Sequence, residues 1–471
     1  MYSKLNADKN EIKKILSKVM LQASEYYETL ESRFVAPEFF PAKEPFQLPA
    51  NGLGAMSALD QFNACYEKYI TASAGPRYFG YVVGGATPAA VAGDILTTIY
   101  DQNAFGIPGT LEHEIEAEAL NMLKELLGID QSFSGTFVTG ATMSNFVSLA
   151  NARGRIAEKQ GLSFTEEGMF DLKRPVILAG SPHSSIFKAI DMLGFGRKSV
   201  HLVPQNENSE SVDIEQLRAM LAANIENECI VIASAGSVNT GDFDDLQAIG
   251  ELKSAFDFWL HVDGAFGGIA GCSPEYAYLL EGMNLADSIT LDAHKWLNVP
   301  YDSAVQFTRH KKLQSEIFYN SSAYLNETSE NPAIFNLTPE NSRRLRALPL
   351  WFSLMAYGKN GYAEIVERNC EVAQGFADRI NQSKWFRLLA TPKINIVCFT
   401  FDIEAEKITP ALVNTFLNRI SKTGKAFFTS TIYHGQPAIR IAVSNWQTAE
   451  DDLGIAWSCL IETAEGLFDA R

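Results

Sequence analysis

The chain has little with which to hold a metal, a nucleic acid or a membrane. Its six cysteines, at 65, 229, 272, 370, 398 and 459, show no C-x-x-C spacing. That argues against a zinc ribbon or a disulfide framework and fits a reducing cytosol. Positive charge is in deficit, with a net charge of −17. There is thus no electrostatic footprint for nucleic acid or an anionic membrane. No run approaches the roughly 18 apolar residues of a membrane span. The opening M-Y-S-K-L-N-A-D-K-N-E-I-K-K is charged and lacks an apolar h-region, so no signal peptide is expected and a cytoplasmic location is. Internal repeats and low-complexity segments are missing too. G-F-G-R (194–197) lacks the third glycine of a dinucleotide fingerprint and reads as a turn. H-E-I-E-A (113–117) lacks the second histidine of a zincin and reads as surface helix, so no metal is expected.

What remains is an ordinary globular composition on a large scale. The chain has 471 residues, 46% of them apolar, enough for two or three domains and a sizeable core. Residues 9 to 33 read as an amphipathic helix, and 55 to 73 as another. Between them, 34 to 53 are rich in Pro, Phe and Gly and read as an extended arm. Such an apolar arm needs something to pack on, and a second subunit is one candidate. From 111 to 127, Ile115, Ala119, Met122, Leu123 and Leu126 share a helix face, and Gly128 is a stop signal.

Thereafter short apolar runs alternate with helical stretches. Strands are expected at 135–139, 175–180, 199–204, 229–235, 258–263, 287–292 and 303–308. That alternation implies α/β architecture, a mainly parallel sheet covered by helices on both faces. After about residue 348 the pattern becomes a smaller α+β unit. It has a helix near 351–380, strands at 394–401 and 438–444, and a helix near 409–422. The expected division is 1–86 as an N-terminal helical and extended arm for dimerisation, 87–348 as a large domain and 349–471 as a small one.

The most informative pair of residues is Lys295, in S-I-T-L-D-A-H-K-W, and Asp263, 32 residues earlier in W-L-H-V-D-G-A-F-G-G. Both follow apolar, strand-like runs, whose carboxyl ends line the ligand crevice of an α/β sheet. Taken singly, such a lysine is ordinarily a solvated loop residue, and such an aspartate a turn or helix cap. Together, with His294 and His183 nearby in the pattern, they suit pyridoxal phosphate. The lysine would form a Schiff base, and the aspartate would keep the pyridine nitrogen protonated so that the ring accepts electrons.

Three further motifs support that reading. T-G-A-T-M-S-N (139–145) follows a strand and opens a helix, so its free N–H groups and Thr142 could hold a phosphate. It has no P-loop lysine, which disfavours a nucleotide, and a plain N-cap remains the bland alternative. S-P-H-S-S-I-F-K-A (181–189) puts His183 at a strand-to-helix turn, where it could stack on a planar ring or merely cap the helix. A-S-A-G-S-V-N-T-G-D-F-D-D (233–245) ends a strand with residues small enough for a cofactor to approach, and its acidic tail suits a helix N-terminus.

With these residues in place, the chain resembles the group II pyridoxal-phosphate amino acid decarboxylases, the relatives of aromatic-amino-acid, histidine and glutamate decarboxylases. The similarity runs from about Arg77 to Asn445. The resemblance implies the aspartate-aminotransferase-like fold (fold type I) with a seven-stranded sheet, pyridoxal 5'-phosphate as cofactor, an amino acid as substrate and a homodimer with its sites at the subunit interface. Lys295 would be the Schiff-base lysine, Asp263 the pyridine partner, Ala265 a packing residue on the ring and His183 the residue stacked on its other face. Ala141, Thr142 and the His294 region would hold the phosphate. P-R-Y-F-G-Y (76–81) resembles the substrate mouth and places Tyr81 near the substrate. Tyr324, 29 residues after Lys295, falls where the family has a mobile-loop tyrosine, and would protonate the substrate carbon once carbon dioxide has left.

The departures are Asp292-Ala293 where many relatives have Asn-Pro, Gly236-Ser237-Val238 for Gly-Thr-Thr, and Val82-Val83 for Phe-Pro. A carboxylate facing a phosphate is repelled, so Asp292 is expected to contribute its backbone or to turn away. Three alternatives stand beside decarboxylation. One is a carbon–carbon lyase of the sphingosine-phosphate-lyase type, which also carries Asp at this position and would need basic residues at the mouth; Arg77 is one. Another is an aldehyde synthase, which Tyr324 opposes. The third is a pyridoxal-binding regulator without catalysis. The polar pair Gln102-Asn103 hints at a polar substrate side chain.

Overall fold

In the computed structural model, residues 1–36, 41, 44–320 and 332–469 are described. Each of the seven expected runs is a strand: β1 (Ser134–Val138), β2 (Val176–Ala179), β3 (Val200–Leu202), β4 (Cys229–Ser234), β5 (Phe258–Asp263), β6 (Ser288–Leu291) and β7 (Ala304–Thr308). They form one sheet in the order β1-β7-β6-β5-β4-β2-β3. Strand β7 runs antiparallel to both its neighbours, and the remaining pairs are parallel.

The mostly apolar character of the central strands β2, β4 and β5 follows from burial on both faces. All six residues of β4 are buried, and they alternate in direction. Ile230 and Ile232 pack with Leu149 and Ile156 of the helix Ala141–Lys159. Val231 and Ala233 face the opposite layer, with Leu123 and Leu126 of the helix Leu111–Leu127. That helix ends at Gly128, whose φ of 66° is the left-handed conformation a glycine stop supplies. The alternation decides which residues of β5 meet which layer, and so where the site lies.

The C-terminal region holds a second, antiparallel sheet of β8 (Phe386–Leu388), β9 (Ile396–Phe401), β10 (Thr429–Tyr433) and β11 (Gln436–Ala442), in the order β10-β11-β9-β8. Its hairpin turns at His434-Gly435, both with positive φ, as a tight primed turn requires. The helix Ala347–Gln382, interrupted at Gly358 (φ 57°), connects the two sheets. Strands β8 and β10 escape the sequence reading: the first has three residues, and the second, T-S-T-I-Y, is mostly polar. So does the last helix, Glu450–Phe468.

The N-terminal expectations need correction. The helix expected over 9–33 is two helices, Ser3–Asn10 and Ile12–Thr29, separated at Glu11 and closed by a tight turn at Leu30–Ser32. The one expected over 55–73 stops at Cys65. Of the arm at 34–53, residues 37–40, 42 and 43 lie outside the described set. Its start packs on its own chain: Val35 N–H donates to Gly424 O at 2.9 Å, and Phe34 covers Gly424 so closely that a Cβ there would clash. Among the described residues no helix is long and apolar enough to cross a membrane.

Candidate active site

The carboxyl ends of the central strands converge on a cavity of about 370 Å³. Strand β5 delivers Asp263 into it, the turn after β2 delivers His183, and the turn after β6 delivers Lys295. Ala265 lines it too, as do Gly236, Ser237 and Val238 after β4. A Cβ on Gly236 would come within 2.9 Å of the Gly267 backbone, so this wall requires glycine. Tyr81 lines the mouth. Four residues the sequence reading assigned to one site, Lys295, Asp263, His183 and Ala265, therefore share a single pocket.

Lys295 Nζ lies 2.9 Å from Asp292 Oδ2, and His294 Nε2 lies 3.7 Å from the same oxygen. Asp292 thus turns its carboxylate toward the lysine, while its N–H donates to Ala265 O at 2.9 Å. The other oxygen, Oδ1, is buried without a partner. Two packed backbones fix the lysine. A Cβ on Gly84 would sit 2.0 Å from Lys295 O, and Asn298, itself at φ 52°, donates to Lys295 O and to Ser444 O.

Asp263 is held on both oxygens. Ala265 N–H donates to Oδ1 at 3.2 Å, and Asn145 Nδ2 donates to Oδ2 at 3.1 Å. His183 caps a helix and also lines the cavity. Its Nδ1 accepts the Ser185 N–H at 3.3 Å, capping the helix Ser184–Met192, while the ring lines the cavity. With Nδ1 accepting, the ring proton sits on Nε2. Burial holds this imidazole below its ordinary pKa, with Asp263 pulling the other way.

Ala141 and Thr142 open the helix Ala141–Lys159, as expected. A Cβ on Gly140, just before them, would meet His294 at 3.5 Å, so this helix start and the histidine border one space. Tyr301 stacks on His294 at 4.3 Å between ring centroids and reaches the main cavity. Free N–H groups of a helix start beside an imidazole suit a phosphate. An amine, a carboxylate, an imidazole, a small residue at the cavity wall and an anion cradle together make a donor set that fits pyridoxal phosphate.

Several readings change. Arg77 is not at the mouth: it pairs with Asp452 at 3.1 Å and donates to Lys425 O and Glu31 O, tying the N-terminal segment to the last helix. Ser237 spends its hydroxyl on Glu210 Oε2 at 2.5 Å. Gln102 and Asn103, which the sequence reading set near a neighbouring subunit's pocket, bond within this chain, Asn103 to Arg343 N and Ser342 and Gln102 to Tyr100 O. H-E-I-E-A is not all surface, because Glu116 is buried against Arg343. Tyr324 lies outside the described residues.

Sequence reasoning missed three residues. Arg440 lines the cavity, gives Nη2 to Tyr81 O at 2.7 Å and leaves Nε buried without a partner. The signal was a lone arginine inside the apolar run A-I-R-I-A-V-S. Tyr81 itself has φ 56°, a strained conformation for an aromatic residue, and the Arg440 bond holds it there. Tyr301 carried no signal. Asn145 stood in the quoted motif, one helical turn after Ala141 and so directed at the sheet, but was not read.

Fold and site together define a pyridoxal-phosphate enzyme of fold type I. The pyridoxal-dependent decarboxylase conserved domain matches residues 43–402. The chain is 27% identical to aromatic-L-amino-acid decarboxylase of Bacillus atrophaeus, over 86% of this chain and 85% of that protein. It is 25% identical to tryptophan decarboxylase 1 of Oryza sativa subsp. japonica, over 98% of this chain and 95% of that one. A crystal structure of Oryza sativa TDC with PLP and tryptamine superposes with a TM-score of 0.89 at 23% identity, covering 97% of this chain and 98% of that chain. The chain belongs to the pyridoxal-dependent decarboxylase family. It is a carboxy-lyase that uses pyridoxal phosphate to remove carbon dioxide from an amino acid.

Proposed function

We propose that the reaction takes an L-amino acid to its amine at the cavity between Lys295, Asp263 and His183, with these residues in the roles their positions suggest. The observation that carries this is their convergence, from three separate strand ends, on one pocket. Pyridoxal phosphate, when bound, supplies an aldehyde carbon for the amines and a ring that takes up the electron pair left by carbon dioxide. Lys295 supplies the amine that holds the cofactor and is displaced by the substrate. Asp263 keeps a proton on the pyridine nitrogen, and two backing hydrogen bonds hold its carboxylate in place. His183 presents its Nε2 proton to the cavity, and Ala265 leaves room for the ring. Ala141, Thr142 and His294 take the phosphate.

Arg440 is a second cation on the cavity wall, and its positive charge suits a substrate carboxylate. Tyr81 covers the mouth. Tyr324 delivers the proton that completes the amine. The test is an assay of carbon dioxide and amine release from a panel of all amino acids. One or a few substrates turning over with equal yields of both products supports the reading; cofactor bound with no product from any amino acid favours the regulator.

The working unit is a homodimer in the cytosol. Ile12, Leu16, Val19 and Met20, on one face of the helix Ile12–Thr29, are exposed, and that helix buries none of its residues in its own chain. An apolar helix face of this kind supports a second copy as its cover. Six free cysteines, five of them buried, suit a reducing compartment. A stable, active monomer by light scattering would count against the dimer.

A further inference from the structure

Three residues of β5, at alternate positions, point to one face of the sheet: Trp259, His261 and Asp263. They meet Ser288, which pairs with His261 across the β5–β6 register, and Asn145 of the helix Ala141–Lys159. All five are buried. Their contacts run in series. Trp259 Nε1 is 3.0 Å from Ser288 Oγ, Ser288 Oγ is 2.9 Å from His261 Nδ1, and His261 Nε2 is 3.0 Å from Asn145 Oδ1. Asn145 Nδ2 is 3.1 Å from Asp263 Oδ2.

The direction of every proton in this series follows from its ends. An ionised carboxylate only accepts, so Asn145 must turn its NH₂ to Asp263 and its oxygen to His261. His261 therefore carries its proton on Nε2, and its Nδ1 accepts from the Ser288 hydroxyl. That leaves Ser288 Oγ to accept from Trp259, whose indole N–H can only donate. The two ends demand the same arrangement. His261 stays neutral in it, because full burial pushes its pKa down to about 4. The amide's other N–H reaches Ser185 Oγ at 3.3 Å, and that hydroxyl lies 2.8 Å from His183 Nδ1.

We propose that Asn145 and His261 are positioning residues, the core of a one-way hydrogen-bond chain that fixes the Asp263 carboxylate in the orientation the pyridine nitrogen requires. The inference rests on the reading of Asp263 as the pyridine partner. A carboxylate on a strand end could otherwise rotate. Here one oxygen is fixed by the Ala265 N–H, the other by the chain, and the remaining lone pairs face the cavity. Outer partners of this kind orient a ligand group and raise its capacity to hold a proton on its partner. Asn145 also connects the two residues that contact the cofactor ring in the proposed function, since its amide serves Asp263 and, through Ser185, His183.

The test uses Asn145→Leu, His261→Leu, His261→Gln and, as a control, Asp263→Asn. Each is read by thermal unfolding, by the dissociation constant for pyridoxal phosphate added to cofactor-free protein, and by kcat and KM. Asn145→Leu and His261→Leu are expected to weaken cofactor binding about tenfold and lower kcat about tenfold, with KM within about twofold, the pattern of a lost charge-assisted hydrogen bond. His261→Gln keeps an N–H near the Nε2 position and should stay within about threefold of wild type on both measures. If Asn145→Leu does not fold, the isosteric Asn145→Asp takes its place; it sets a carboxylate against Asp263 and should lose at least as much. A folded Asn145 variant with wild-type cofactor affinity and kcat overturns the proposal. So does His261→Gln failing as badly as His261→Leu. The control separates the two levels: Asp263→Asn turning over like wild type removes the reading of Asp263 itself. Loss in Asp263→Asn with intact Asn145 variants removes only the chain.

Discussion

Asp292 Oδ2 lies 2.9 Å from Lys295 Nζ, and the aspartate is buried with its second oxygen unpaired. The sequence reading expected Asp292 to contribute its backbone or to turn away from a phosphate. Its carboxylate meets the lysine's amine three residues on, a strong partner for a buried carboxylate.

Asp292→Asn should therefore free Lys295. A partly buried ion pair of this kind is worth about 1 kcal/mol, or a factor of about five. Capture of pyridoxal phosphate by the cofactor-free protein, followed by stopped-flow absorbance, should accelerate by about that factor. An unchanged or slower rate means that the contact does not restrain the lysine.

Tyr324→Phe should still release carbon dioxide but form amine slowly. The phenol is the proposed proton donor, and Phe keeps the ring while removing the proton. Flux is then diverted toward an aldehyde with ammonia and peroxide, at the expense of molecular oxygen. Amine, aldehyde, peroxide and oxygen uptake are the measurements. Unchanged amine yield and rate would remove Tyr324 from the mechanism.

His261 makes stability depend on pH in a definite direction. Burial lowers its pKa from 6.5 to about 4, so the fold favours the neutral ring. The contribution is complete above about pH 6.5 and is lost as pH falls toward about 4, a total of about 3 kcal/mol. His261→Gln should flatten this part of the curve. Urea unfolding of both proteins at several pH values checks it; parallel curves between pH 6.5 and 4 would show that the ring does not titrate with folding.

Arg343 and Glu116 form a buried pair with contacts of 3.0 and 3.2 Å, and both also bond the Phe137 backbone of β1. Arg343→Met leaves the carboxylate buried and unpaired, at a cost of about 3–5 kcal/mol. Arg343→Met with Glu116→Leu should recover most of that. Denaturant midpoints of the single and double variants decide, and equal loss in both would contradict the charge argument.

The large sheet was legible because its central strands, buried on both faces, are mostly apolar. Runs such as C-I-V-I-A-S and F-W-L-H-V-D announce themselves without any partner. Lys295, Asp263 and His183 were legible because each lies at, or within a few residues of, the carboxyl end of a strand. Strand β10 was not, since three of its five residues are Thr or Ser and only Tyr433 is buried. Arg440 and Asn145 were hidden for a different reason. Each acts at the site only through its tertiary placement, Arg440 from the small sheet and Asn145 from beneath the large one. A single sequence does not show which surfaces meet. Arg77 misled in the converse way, because its charge is spent on Asp452 more than 300 positions away.

The central claim is that Lys295 carries the cofactor. Loaded protein, reduced with borohydride and digested, should yield one pyridoxyl-labelled peptide by mass spectrometry, with the label on Lys295 in S-I-T-L-D-A-H-K-W. Before reduction it should absorb near about 420 nm, as cofactor–lysine adducts of this type do. Label on another lysine, or a protein that binds no cofactor, would contradict the account.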